Sequence, residues 1–206
     1  MKEISSLILA VSMLAAFAVT LASCGKDGGV SAGIYEDGGK TYFVVEGGAI
    51  VIDGDTAAPT AAPELSGDPK SEKLSAPAKL DKEYFTYETK NGGKYITGLT
   101  DDGKSASVLA VPGDVAGIAK GAFSGGSLKS LVIASRASGA VNLDNGAFEG
   151  TSGLSVYIAC TTDGVTAGKQ LLDGASGIKL IITADEYSNF KSHYLFGTFS
   201  DNMSKL

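Results

Sequence analysis

Tryptophan is absent from this chain of 206 residues, histidine occurs once, cysteine twice and proline five times. Each scarcity closes off a class of chemistry. A catalytic triad is recognised by its partners, and His193 has no serine or cysteine in a nucleophile elbow to serve. Two cysteines make no disulfide framework, and Cys160 continues the inward alternation of Val156 and Ile158, so it reads as a small buried hydrophobe and not as a reactive thiol. Basic residues are also few. Lys and Arg number 17 against 23 Asp and Glu, a net charge of −6, which argues against nucleic acid and against direct binding of anionic headgroups. The glycine clusters lack the lysine and hydroxyl residue of a phosphate loop. Asp53-Gly54-Asp55 and Asp101-Asp102-Gly103 lack the spacing of a calcium loop. No enzyme, metal or cofactor is expected.

What the chain does have begins at its first residues. Lys2 precedes Leu7 to Leu21, fifteen residues without a charge. This is a charged start followed by an apolar run, short of the about 20 residues that a membrane span needs. The run ends in Leu21-Ala22-Ser23-Cys24, which resembles the bacterial lipobox. The resemblance implies a signal peptide over 1–23, cleavage before Cys24, and acylation of Cys24 by palmitate-type chains. Each buried methylene contributes about 0.8 kcal/mol, so two or three chains hold a protein firmly on a membrane. Residues 24–32 read as a flexible tether. Gly25-Lys26-Asp27 is similar to a Lys-acid signal that directs lipoproteins outward, which places the expected location at the outer membrane or cell surface ahead of the inner membrane.

The 28 glycines mark many turns. In 33–55, Asp37-Gly38-Gly39 and Gly47-Gly48 separate β-branched and aromatic runs, which predicts a β-meander. Four of the five prolines fall in 56–82, a stretch almost without large apolar residues and therefore read as a linker. Residues 83–104 hold Tyr84 to Glu88 and Lys94 to Leu99 around Asn91-Gly92-Gly93, a second hairpin.

From 105 to 182 the chain repeats. Gly121-Ala122-Phe123-Ser124-Gly125 returns as Gly146-Ala147-Phe148-Glu149-Gly150 and, worn, as Gln170-Leu171-Leu172-Asp173-Gly174, at intervals of 25 and 24 residues. A short β-like run follows each: Leu131-Val132-Ile133, Val156-Tyr157-Ile158 and Leu180-Ile181-Ile182. One strand per repeat of this length predicts a mainly β fold, a short leucine-rich-repeat solenoid of three to four coils. The β-meander and hairpin would precede it, and a helical cap over 183–206, with Tyr187, Phe190 and Tyr194 on one face, would close it.

Ile118-Ala119-Lys120-Gly121-Ala122-Phe123-Ser124-Gly125, then Leu128-Lys129-Ser130-Leu131-Val132-Ile133, with Val111-Pro112 at a strand end, resemble the BspA-like leucine-rich repeats of bacterial surface proteins. The resemblance runs from about Tyr95 to Leu206. It departs from the family where proline is missing after Ile133, Ile158 and Ile182. It implies protein–protein interaction or adhesion, with a host or neighbouring-cell protein as ligand. Alternation along the strands leaves Ala110, Val132, Tyr157 and Ile181 as an outward apolar file and the candidate binding face. The alternative is a glycan- or nutrient-binding accessory lipoprotein of a surface uptake system, using Tyr35, Tyr42 or Tyr87 as aromatic platforms. In both readings the membrane is reached through acyl chains on Cys24.

Overall fold

The computed structural model describes residues 32–46, 48–53, 56–60, 79–80, 83–136 and 139–206. The signal peptide, the cleavage motif Leu21-Ala22-Ser23, Cys24, nearly all of the tether and most of the expected linker lie outside the described residues. In chain order the structure has β1 (Gly33–Asp37), β2 (Lys40–Val45), β3 (Gly48–Asp53), β4 (Thr56–Thr60), β5 (Lys79–Leu80), β6 (Phe85–Lys90), β7 (Gly93–Leu99), α1 (Asp101–Ser105), β8 (Val108–Ala110), β9 (Val115–Ile118) and β10 (Ser130–Ala134). These are followed by β11 (Val141–Leu143), β12 (Ser155–Ala159), β13 (Val165–Ala167), β14 (Lys179–Ile182), α2 (Tyr187–Ser192) and β15 (Met203–Lys205).

The strands form three five-stranded sheets, ordered β1-β2-β3-β4-β5, β15-β14-β12-β10-β8 and β13-β11-β9-β7-β6. The first is antiparallel apart from β5, which runs parallel to β4. The second is parallel throughout. The third is parallel except for the β6–β7 hairpin. That hairpin turns on Asn91 and Gly92, both at positive φ (52° and 77°), as a primed turn requires.

This architecture corrects the expected fold class. A leucine-rich solenoid would place one strand of each repeat on one side of an apolar column. Here each repeat supplies two strands, to two different parallel sheets: β9 and β10, β11 and β12, β13 and β14. With the mixed first sheet and a few short helices, the chain is α/β with three parallel or mixed sheets, not a mainly β leucine-rich-repeat solenoid. The extra strands escaped the sequence reading because they are three or four residues long and carry Gly117, Asn142 and Thr166 where apolar alternation would be sought. The stretch expected as linker also contributes β4, whose Pro59 pairs with Ile50.

Two apolar layers hold the sheets together. Leu109, Leu131, Ile133, Val156, Ile158, Leu180 and Ile182 from the second sheet meet Ile96, Val115, Ile118, Leu143 and Val165 from the third, all buried. Phe123 and Phe148 stack between them, ring centroids 5.9 Å apart and 20° from parallel. Leu172, in the corresponding place of the next repeat, is half-buried. Repeats lie on one another through backbone bonds at their turns: Gly121 N–H donates to Gly146 O at 2.9 Å and Gly146 N–H to Gln170 O at 2.8 Å. Gly121 and Gly146 take φ of 67° and 66°, which glycine adopts at no steric cost.

The cap is less helical than expected. α2 stops at Ser192, a 3-10 segment follows over Phe196–Asn202, and β15 then joins the second sheet. Phe190 and Phe196 pack edge to face at 5.0 Å over the last repeat. Tyr194, expected on the packed face, points to solvent, because the backbone leaves the helix at His193 (ψ 134°).

Candidate functional site

The apolar file proposed from the sequence is not a free surface. Ala110, Val132 and Tyr157 are buried, and Ile181 is half-buried. The first sheet lies on them through Ile34, Phe43, Val45 and Ile50. Phe43 meets the Tyr157 ring edge-on, 5.8 Å between centroids at 88°. Glu46, in the β2–β3 turn, adds a polar clip: its N–H donates to Tyr157 Oη at 3.2 Å, its carbonyl accepts from Ser130 Oγ at 2.6 Å, and its carboxylate lies 3.4 Å from Ser155 Oγ. Ser130 and Ser155 are themselves buried, so these bonds satisfy groups that would otherwise be costly. Strands β8, β10 and β12 of the second sheet are thus buried on both faces, while β14 and β15 keep exposed residues on the outward one.

The aromatic platforms are covered to different degrees. Tyr35 is buried and Tyr42 half-buried. Tyr87 is half-buried with Lys94 Nζ 3.9 Å from its ring centroid. Burial, with Asp114 and Glu83 adding to it, pushes the Tyr87 phenol up to about 12. Cys160 is buried in the core. His193 Nδ1 accepts from the backbone N–H groups of Leu195 and Phe196, both at 3.3 Å, which places any ring proton of the neutral form on Nε2. Asp101 and Asp102 open α1, where Thr100 Oγ1 accepts from Gly103 N–H as its cap. Among the described residues no three His, Cys, Asp or Glu side chains converge as metal ligands would.

The outer face of the third sheet carries the arrangement that the sequence reading missed. One rung crosses it through register partners Glu88, Tyr95, Gly117, Asn142 and Thr166. Gly117 has no side chain, so the Tyr95 ring lies flat over it; a Cβ there would stand 2.3 Å from Tyr95 Cε1. Asn142 Nδ2 donates to Asp144 Oδ1 at 2.7 Å and reaches Tyr95 Oη at 3.5 Å. Thr166 Oγ1 donates to Asn142 Oδ1 at 3.1 Å. Lys90 Nζ donates to Asp144 Oδ2 at 2.5 Å and stands 5.1 Å from the Tyr95 ring centroid. That hydrogen bond is the main reason the Lys90 ammonium is held above its ordinary pKa.

A second pair lies on the other side of β7, where Tyr87 is the register partner of buried Ile96 and Lys94 that of buried Val115. Lys94 Nζ bonds Asp114 Oδ2 at 2.9 Å while covering Tyr87. Beside Asp114, Arg136 Nη2 donates to Gly113 O, and burial holds its pKa below the usual value against the pull of Asp114. On the outer face, the Lys90 ammonium, the Asp144 carboxylate, the Asn142 amide, the Thr166 hydroxyl and the Tyr95 phenol are joined to one another. The signal of this face was present in the sequence: Gly117, Asn142 and Thr166 recur at intervals of 25 and 24, in phase with Phe123, Phe148 and Leu172. No family model, no curated protein and no solved structure matches the chain.

Proposed function

We propose that this chain is an exported protein, lipid-anchored at Cys24, that binds a protein partner through the outer face of its third sheet and carries out no catalysis. The hydrogen-bonded network of Tyr95, Asn142, Asp144 and Thr166 is the observation that supports this reading. Its side chains hold fixed positions before any partner arrives, which lowers the ordering cost of association. The tyrosine ring on this face, Tyr95, has the Lys90 ammonium over it, so the face offers hydrogen bonds and charge where a glycan platform would offer bare aromatic rings. The lipobox-like Leu21-Ala22-Ser23-Cys24 supports display on a bacterial membrane, at the outer membrane or cell surface. The polar groups of the face are engaged with each other, which suits recognition better than proton transfer.

The test is binding of the full chain to a panel of extracellular matrix proteins and to a glycan array, alongside Thr166→Arg. Thr166 is exposed at the β13 end of the rung, so the substitution adds bulk and charge without touching the core. A protein captured by the native chain and lost with the folded variant is the expected result. Capture of glycans alone, or undiminished binding by Thr166→Arg, overturns the reading.

A further inference from the structure

Tyr194 is 84% exposed, the one large apolar side chain so placed among the described residues. It does not hang on a loose loop. His193 accepts the N–H groups of Leu195 and Phe196 on Nδ1, and its carbonyl accepts from Gly197 N–H at 2.8 Å. The Tyr194 ring leans on the His193 imidazole, 4.7 Å between centroids. Leu195, Phe196 and Phe199, the neighbouring apolar residues of the cap, are all turned inward. The cap is therefore a pedestal that holds one amphipathic ring outward.

Its location matters. β15, which follows the cap, is the last strand of the second sheet, at the edge opposite β8. The first sheet lies over the second with β3 and β4 against β8 and with Phe43 on β2 against Tyr157 on β12, so β1, which follows Ala32, lies on the side of β14 and β15. The chain thus enters the fold at the capped end. Ala32 lies eight residue steps along the chain from Cys24, and at about 3.3–3.6 Å each these span at most about 29 Å. A lipid on Cys24 keeps the capped end within that reach of a bilayer.

We propose that the capped end faces the membrane and that Tyr194 seats in the headgroup region of a zwitterionic phospholipid bilayer; this rests on the lipid-anchor reading above. A tyrosine has an apolar body and a polar tip, the combination enriched at membrane–water interfaces. One ring is far less than the roughly 800 Å² per partner of a specific protein interface. It is enough at a bilayer, because an anchored chain meets the surface at the high effective concentration a short tether sets. The exposed charges of the cap and β15 are Asp185, Lys191, Asp201 and Lys205, two of each sign, so neutral lipid is favoured over anionic.

The absence of tryptophan makes the test direct, since Tyr194→Trp creates a sole reporter. The full chain is produced in a bacterium with labelled palmitate and reconstituted on zwitterionic vesicles with plain or brominated acyl chains. Glu88→Trp, exposed on β6 at the opposite end, is the reference. The expected result is emission at shorter wavelength and loss of most of it to bromine for Tyr194→Trp, with neither for Glu88→Trp. Equal behaviour of the two reporters overturns the proposal. Palmitate incorporation separates the premises: label without a shift leaves the anchor and removes the Tyr194 contact, absence of both removes both, and a shift on added vesicles without label upholds the contact while the anchor reading fails.

Discussion

Replacing Gly117 by alanine isolates the packing that builds the recognition face. An added Cβ would lie 2.3 Å from Tyr95 Cε1, 2.6 Å from its Cζ and 2.9 Å from the backbone oxygen of Asn142. The tyrosine ring can swing aside, but only by giving up its place beside Asn142 and Lys90. The Asn142 oxygen belongs to the neighbouring strand and has no such freedom. Gly117 is not at positive φ, so alanine meets no conformational penalty and, in open space, would stabilise by about 0.5–1 kcal/mol through the unfolded chain. Overpacking of this kind costs about 1–3 kcal/mol. The net expectation is a loss of about 1–2 kcal/mol, read from the midpoint of urea unfolding at constant slope. Tyr95→Ala in the same background should not restore stability, because it removes a buried ring and leaves the clash with the Asn142 oxygen. A Gly117→Ala variant as stable as the native chain, or more so, would refute the flat packing of Tyr95 on the sheet.

Further expectations follow from the core, the seam and the titration. Phe148→Ala removes a fully buried ring stacked on Phe123 and should cost about 3–5 kcal/mol in the same unfolding assay. A double-mutant cycle between Phe43 and Tyr157, both changed to leucine, should give a coupling of about 0.5–1.5 kcal/mol for their edge-to-face contact; zero coupling would separate the first sheet from the second. Tyr87, pushed up to about 12 from 10.0, keeps its proton in the folded state after the unfolded chain has lost it. Stability should therefore fall between about pH 10 and 12, and Tyr87→Phe should fall less over that window, measured by unfolding at stepped pH.

The repeat was legible because Phe123 and Phe148 are large, identical and evenly spaced, and their burial explains why they were kept at that spacing. The second strand of each repeat was not, since Val115–Ile118 and Val141–Leu143 interleave core valine, isoleucine and leucine with Gly117 and Asn142, whose role is on the outer face. The leucine-rich reading failed at that step. The apolar file Ala110, Val132, Tyr157 and Ile181 shows the second difficulty. Alternation assigns two faces to a strand but does not say which is covered. The runs Leu131-Val132-Ile133-Ala134 and Val156-Tyr157-Ile158-Ala159 are continuous in apolar residues, the pattern of parallel strands buried on both faces, and that signal pointed to the first sheet as a cover. Tyr194 went the other way: helical spacing from Tyr187 and Phe190 placed it inward, and the break at His193 turned it out. The face around Asn142 and Asp144 depends on Lys90 reaching from another hairpin, a pairing that local sequence does not encode.

Radical footprinting of tyrosines read by mass spectrometry tests most directly which surfaces of the fold are closed. Tyr157, under the first sheet, is 3% exposed and Tyr194, on the cap, 84%. Heavy modification of Tyr194 and protection of Tyr157 are expected in the native chain. Modification of Tyr157 at a rate comparable to Tyr194 would contradict this, by leaving the second sheet open and returning the apolar file to solvent.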